Sequence, residues 1–145
     1  VYQNPNCQLF MPTVAQEVAF AAKSEDFAWE IMELFGIAHL SKRHPHSLSE
    51  GQKRRVSIAA VAASQPELLL LDEPTVGQDG EGLRTLLHAL NHLHTRTGST
   101  IVTVTHDRRC ASAMCDRAAW LKEGRIEKTG GPELIEAVWG DSAAM

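Results

Sequence analysis

Two stretches of this chain run apolar and then end abruptly in reactive groups. LLLLDEPT, residues 68–75, sets four leucines against Asp72 and Glu73; TIVTVTHD, residues 100–107, sets β-branched residues against His106 and Asp107. A carboxylate beside a buried strand end loses hydration and needs a cation or a donor. Mg²⁺ held on phosphate oxygens supplies one, because it takes oxygen ligands and often uses one or two carboxylates plus substrate phosphates. The second acid is then left to act as a general base toward water. Taken alone, capping of the next turn accounts for the acids at least as well, and short motifs call for that caution. A third stretch, LSEGQKRR at 48–55, opens on small polar residues and then crowds Lys53, Arg54 and Arg55 together. Cations sit badly in the first turn of a helix. Either they form a solvated face, or an anion docks at this helix start.

These groups need elements to hold them. Residues 1–12 read as a strand end and a loop, with Pro5 and Pro12 as breakers. Thr13 is placed to cap a helix to about Lys23, and Ser24 a second helix to about Phe35, ended by Gly36. Ser49 begins a third helix, whose Val56, Ala59, Ala60 and Ala63 form a narrow apolar stripe. Leu68–Leu71 then reads as a buried strand, and Leu83, Leu86, Leu87, Leu90 and Leu93 mark an amphipathic helix closed by Gly98. Thr100–Thr105 suits a strand buried on both faces. A short helix from Asp107 to about Cys115 follows, then two strands around Glu123-Gly124 and a last helix from Pro132 to about Trp139. The tail from Gly140 to Met145 reads as frayed. Strand-helix-strand-helix predicts an α/β fold with a mostly parallel sheet, preceded by an α-helical part. In such sheets ligands bind at the carboxyl ends of the strands, where both reactive stretches lie.

Composition narrows the classes. The 145 residues carry a net charge of −4, which argues against a general nucleic-acid binder. The hydrophobic share of 43% suits a core, and no apolar run approaches the ~18 residues of a membrane span. Cys7, Cys110 and Cys115 form no CxxC pair and read as reduced thiols of a cytosolic protein. His88, His92 and His94 lack a completing Cys or acid and read as a solvated helix face. Trp120 reads as core; Trp29 and Trp139 read as core or partner surface.

With these residues in view the chain resembles the ATP-binding cassette (ABC) ATPases. LLLLDEPT resembles their Walker B strand, LSEGQKRR their LSGGQ signature, VTHD their switch histidine, VYQNP their glutamine loop and VGQD their D-loop, all in the family's order. Within the family, QNPNCQLF…TVAQEVAF is most similar to the ATPases of energy-coupling factor importers, which supply vitamins and transition-metal ions such as cobalt. The resemblance implies a partial P-loop NTPase core, with residues 1–65 holding the glutamine loop, helical subdomain and signature, and 66–145 holding Walker B, D-loop and switch histidine. It implies ATP and Mg²⁺ as cofactors. Gln3 would reach the catalytic metal and the attacking water, Asp72 would hold Mg²⁺, Glu73 would be the general base, and His106 would bind the γ-phosphate. Ser49, Gly51 and Gln52 would contact ATP held by a second ABC ATPase subunit, and Asp79 would contact that subunit. Lys53, Arg54 and Arg55 would make the signature turn's surroundings positive. The other expected partner is a transmembrane coupling protein, with no nucleic acid, at the cytoplasmic side of the cell membrane.

Two departures stand out. Glu50 occupies a position where the family usually has Gly, so its side chain is expected to point away from phosphate. No Gly-Lys pair occurs in these residues, whereas the family cradles phosphates in a G-x-x-x-x-G-K-[ST] loop upstream of the glutamine loop. The expectation is therefore a truncated chain that alone neither binds ATP tightly nor hydrolyses it, and that folds poorly because Leu68–Leu71 lacks a neighbour. The alternatives are a soluble ABC ATPase of translation or DNA repair, and a non-catalytic module that completes a partner's ATP site.

Overall fold

The computed structural model describes residues 1–142, and two compact units divide it, Val1–Val104 and Thr105 onward. The first unit starts with a 3-10 turn at Pro5–Cys7, capped by the Asn4 side chain. Helix α1 spans Val14–Ala19 and α2 spans Glu25–Leu34. Thr13 and Ser24 cap them as expected, by accepting from the amides of Gln16 and Phe27. Helix α1 stops well before Lys23. Helix α3, Glu50–Ala62, starts at Ser49 with a full capping box. Around it pack α1, α2 and the turn at residues 5–7. This surround corrects the narrow stripe expected for α3: Gly51, Arg54, Ser57, Ile58 and Ala62 are buried along with Val56 and Ala59.

Strand β1, Leu68–Asp72, pairs in parallel with β2, Thr100–Val104, with Asp72 opposite Val104. Between them runs α4, Gly80–Thr97, capped by Asp79 and ended at Gly98. Its Leu83, Leu86, Ala89, Leu90 and Leu93 are buried. Both strands depart from the burial expected of them. Leu69 and Leu71 are buried, whereas Leu68, Leu70, Val102 and Val104 are 47–62% exposed. The two-residue period sends alternate side chains to opposite faces, and only one face of this pair is covered among the described residues.

The second unit holds α5, Arg108–Met114, capped by Asp107. Strands β3, Ala118–Lys122, and β4, Arg125–Gly130, form an antiparallel hairpin with a register shift between Trp120 and Leu121. Glu123 and Gly124 both have positive φ, which suits a tight hairpin turn. Trp120 is half-buried rather than core, its ring lying under the ammonium groups of Lys122 and Lys128. Helix α6 runs Glu133–Ser142, past the end expected near Trp139. The expected fraying thus fails at Gly140–Ser142, and Ala143–Met145 lie outside the described residues.

Candidate functional site

Alternation along β1 fixes its acidic end. Asp72 shares a strand face with Leu68 and Leu70, and its side chain is exposed at the carboxyl end of the strand. Glu73 follows at φ +46, in the left-handed region where residues with side chains are uncommon. Its amide donates to the Val104 carbonyl at 2.9 Å, which ties the turn to the end of β2. Holding a non-glycine there costs roughly 1–2 kcal/mol. Such strain gathers at functional sites, where the surrounding structure maintains it.

The signature-like turn is built on its cap. Ser49 Oγ accepts from the Gln52 amide at 3.3 Å, and the Gln52 side chain accepts from the Ser49 amide at 3.1 Å. An accepting hydroxyl still has its own proton to donate. The first-turn amides of a helix also have no partner within it. Hydroxyl and amides together make a donor surface suited to an anion. Glu50 is 63% exposed and paired with Lys53 at 3.0 Å.

The cations behind this turn differ from expectation. Lys53 is paired with Glu50, and Arg54 is 5% exposed. One guanidinium nitrogen of Arg54 lies 3.4 Å from the Tyr2 carbonyl and 3.5 Å from the Asp72 carbonyl, both at the long end of hydrogen bonding. Burial lowers its pKa, while Glu50, Asp72 and Glu73 raise it, so the acids around it favour the charge. Arg54 thus sits where the segment before Gln3, the end of β1 and helix α3 meet. Gln3 itself is exposed in the bend ahead of the 3-10 turn.

The segment that resembles a D-loop completes this side of the first unit. The Gln78 side chain donates to the Gly51 carbonyl at 2.8 Å, and the Asp79 carboxylate accepts from the Gly82 amide at 2.7 Å. Ser49, Gly51 and Gln52 are therefore joined to the segment carrying Asp79. Asp72 and Glu73 join the same neighbourhood through Arg54 and through the Glu73 carbonyl, which accepts from the Val76 amide at 3.3 Å. His106 belongs to the second unit, exposed in the segment before α5. Next to it Asp107 caps α5 by accepting from the Arg109 amide at 2.9 Å. The Arg109 guanidinium holds the Asp107 carboxyl below the usual carboxylate range.

The sequence did not show the roles of three residues here. Arg54 could have been found from spacing, because Gly51, Arg54, Ile58 and Ala62 fall on one helical face. Glu17 is 3% exposed, and its carboxylate accepts from the amides of Phe10 and Met11 at 2.9 and 2.7 Å. Neither its position in α1 nor its neighbours announce that role. Gln78 was passed over between two motif residues.

His88 and His92 are exposed with rings 6.3 Å apart, in keeping with a solvated face. No cluster of three or more His, Cys, Asp or Glu suited to a metal occurs among the described residues. A divalent cation here would therefore take its remaining ligands from phosphate and water. Asp72 fits that demand, being an oxygen donor exposed at the strand end.

A family model described as ABC transporter matches residues 1–76. The chain belongs to the ABC transporter family. It is 38% identical, over 93% of its length and 52% of the relative's, to the energy-coupling factor transporter ATP-binding protein EcfA of Methanoculleus marisnigri. The solved structure of cbiO1 from Clostridium perfringens, described as part of the ABC transporter complex cbiONQ, superposes with a TM-score of 0.77 at 35% identity, covering 99% of this chain and 59% of that one. A dimeric post-hydrolysis state of the ATP-binding cassette MJ0796, bound to ADP and Pi, also gives 0.77, at 27% identity over 91% of this chain and 61% of that one. The fold is that of an ABC ATPase cassette, as the motifs implied. The chain spans about half the length of the curated relatives it matches.

Proposed function

We propose that this chain is the catalytic and signature-bearing part of an ATP-hydrolysing ABC subunit that powers an energy-coupling factor importer of a vitamin or a metal ion. The observation that carries the reading is the acidic end of β1: Asp72 exposed at the strand terminus and Glu73 held at φ +46 beside it. Residues 1–65 supply the glutamine loop, helical subdomain and signature; residues 66–145 supply Walker B, D-loop and switch histidine.

In this reading Glu73 takes a proton from the water that attacks the γ-phosphate of ATP. The reaction breaks the bond between the β–γ bridging oxygen and the γ-phosphorus, giving ADP and Pi. Mg²⁺, when bound, would neutralise charge on the phosphate oxygens, with Asp72 and Gln3 as its protein-side partners. His106 donates to the γ-phosphate. Ser49 offers its hydroxyl, Gly51 its amide and Gln52 its side-chain NH₂ to ATP held by a second cassette, homologous or identical, and Asp79 faces that cassette. Gln3 and the helices after it pass closure to a transmembrane coupling protein at the cytoplasmic face of the membrane. The 145 residues alone hold no Gly-Lys pair, so on their own they neither bind ATP tightly nor turn it over.

Support for transport comes from the energy-coupling factor and cbiONQ relatives. Among the described residues no helix is long and apolar enough to cross a membrane. Affinity purification of the tagged protein from detergent-solubilised cells tests it. Recovery of a polytopic membrane protein together with a second cassette is the expected result. Recovery of ribosomes or DNA-repair proteins instead would overturn the transport reading and leave a soluble ABC ATPase.

A further inference from the structure

We propose that Gln78 is a positioning residue that locks the D-loop onto the signature turn, so that Ser49–Gln52 and Asp79 are presented as one rigid unit. The inference rests on the reading of those residues as the surface offered to a second cassette. Three observations carry it. The side-chain nitrogen of Gln78 lies 2.8 Å from the Gly51 carbonyl oxygen. That carbonyl can only accept, so the amide must present its NH₂ end there. At its other end the Gln78 amide oxygen lies over the start of α4, 2.6 Å from where a side chain on Gly82 would begin. Finally, the backbones themselves touch, because a Cβ on Gly51 would stand 2.4 Å from the Gly77 carbonyl oxygen.

The two segments come from different parts of the chain. The signature turn opens α3, and the D-loop precedes α4. Without a tie, each would settle independently against the facing cassette. The Gln78 amide bridges them, donating to α3 and covering the first turn of α4. A bond to a backbone carbonyl leaves the side chains of Ser49, Gln52 and Asp79 in place for their own contacts.

Amide hydrogen exchange on the protein, compared with Gln78→Ala and Gln78→Glu, tests the tie without any need for ATP. Glu matches Gln in shape and removes the donor, so both variants should behave alike. The expected result is exchange about tenfold faster at Ser49 and Gln52 as well as at Val76 and Gly77, with α2 amides unchanged. Acceleration confined to residues 76–79, acceleration spread through α2, or a Glu variant that behaves as wild type would each overturn the proposal. A second arm measures ATP turnover in the complete cassette. The variants should lower kcat about tenfold and leave KM for ATP within about twofold. A raised KM at unchanged kcat would contradict the tie. If the unsubstituted protein shows no turnover, the functional reading fails and the exchange result still decides the role of Gln78.

Discussion

Gly51 and Gly77 approach so closely that a single methyl group on the first would stand 2.4 Å from the carbonyl oxygen of the second. Gly77 is at φ +79, a conformation that glycine adopts without steric cost. Gly51 lies in the first turn of α3, where Ala would normally be favoured by up to ~1 kcal/mol. Here that gain is opposed by an overlap with backbone, and overpacking of this kind costs typically ~1–3 kcal/mol. Gly51→Ala should therefore lower stability by about 1 kcal/mol, read as a lower urea midpoint at unchanged slope. A more stable variant would mean that the two turns are not in contact.

Glu17 holds the loop at Phe10 and Met11. Its carboxylate is nearly fully buried and accepts from two backbone amides, those of Phe10 and Met11. Removing an acceptor leaves each buried donor with its desolvation cost, about 1–3 kcal/mol. Glu17→Ala should cost about 2 kcal/mol or more in denaturant unfolding, and Glu17→Gln, which keeps one acceptor oxygen, distinctly less. Equal losses in the two variants would show that packing rather than hydrogen bonding sets the effect.

Asp107 makes the second unit sensitive to acid. Its carboxyl is held below the usual range first by the Arg109 guanidinium and also by backbone amides of α5. A carboxylate with a lowered folded pKa contributes stability that is present above its ordinary value near 4 and is lost as pH falls through the lowered one. The Asp107 carboxyl resonance should titrate below that ordinary value in the intact protein. In Arg109→Ala it should move up toward it. No movement would assign the lowering to the helix start alone.

The first half of the chain could be read closely because its signals are local. Thr13, Ser24 and Ser49 each cap a helix where the sequence puts them, since a side-chain oxygen needs only the amides two or three residues ahead. The acidic strand end was visible for the same reason, whereas the Asp79 cap was not foreseen. Burial was less legible. Four consecutive leucines read as a buried strand, whereas Leu68 and Leu70 are exposed, because covering a face takes elements distant in sequence. The three missed residues fail for that reason too. Arg54, Glu17 and Gln78 act on carbonyls or amides of other segments, and nothing in their immediate neighbours marks those partners.

The proposed role of Glu73 is tested most directly by steady-state ATP turnover of Glu73→Gln in the complete cassette, beside a direct measurement of ATP binding. Gln keeps the size of the side chain and cannot take a proton from water, and a positioned general base contributes ~10²–10⁴-fold. With Glu73 as the base, kcat should fall at least about a hundredfold with ATP affinity retained. Turnover equal to that of the unsubstituted protein would contradict it.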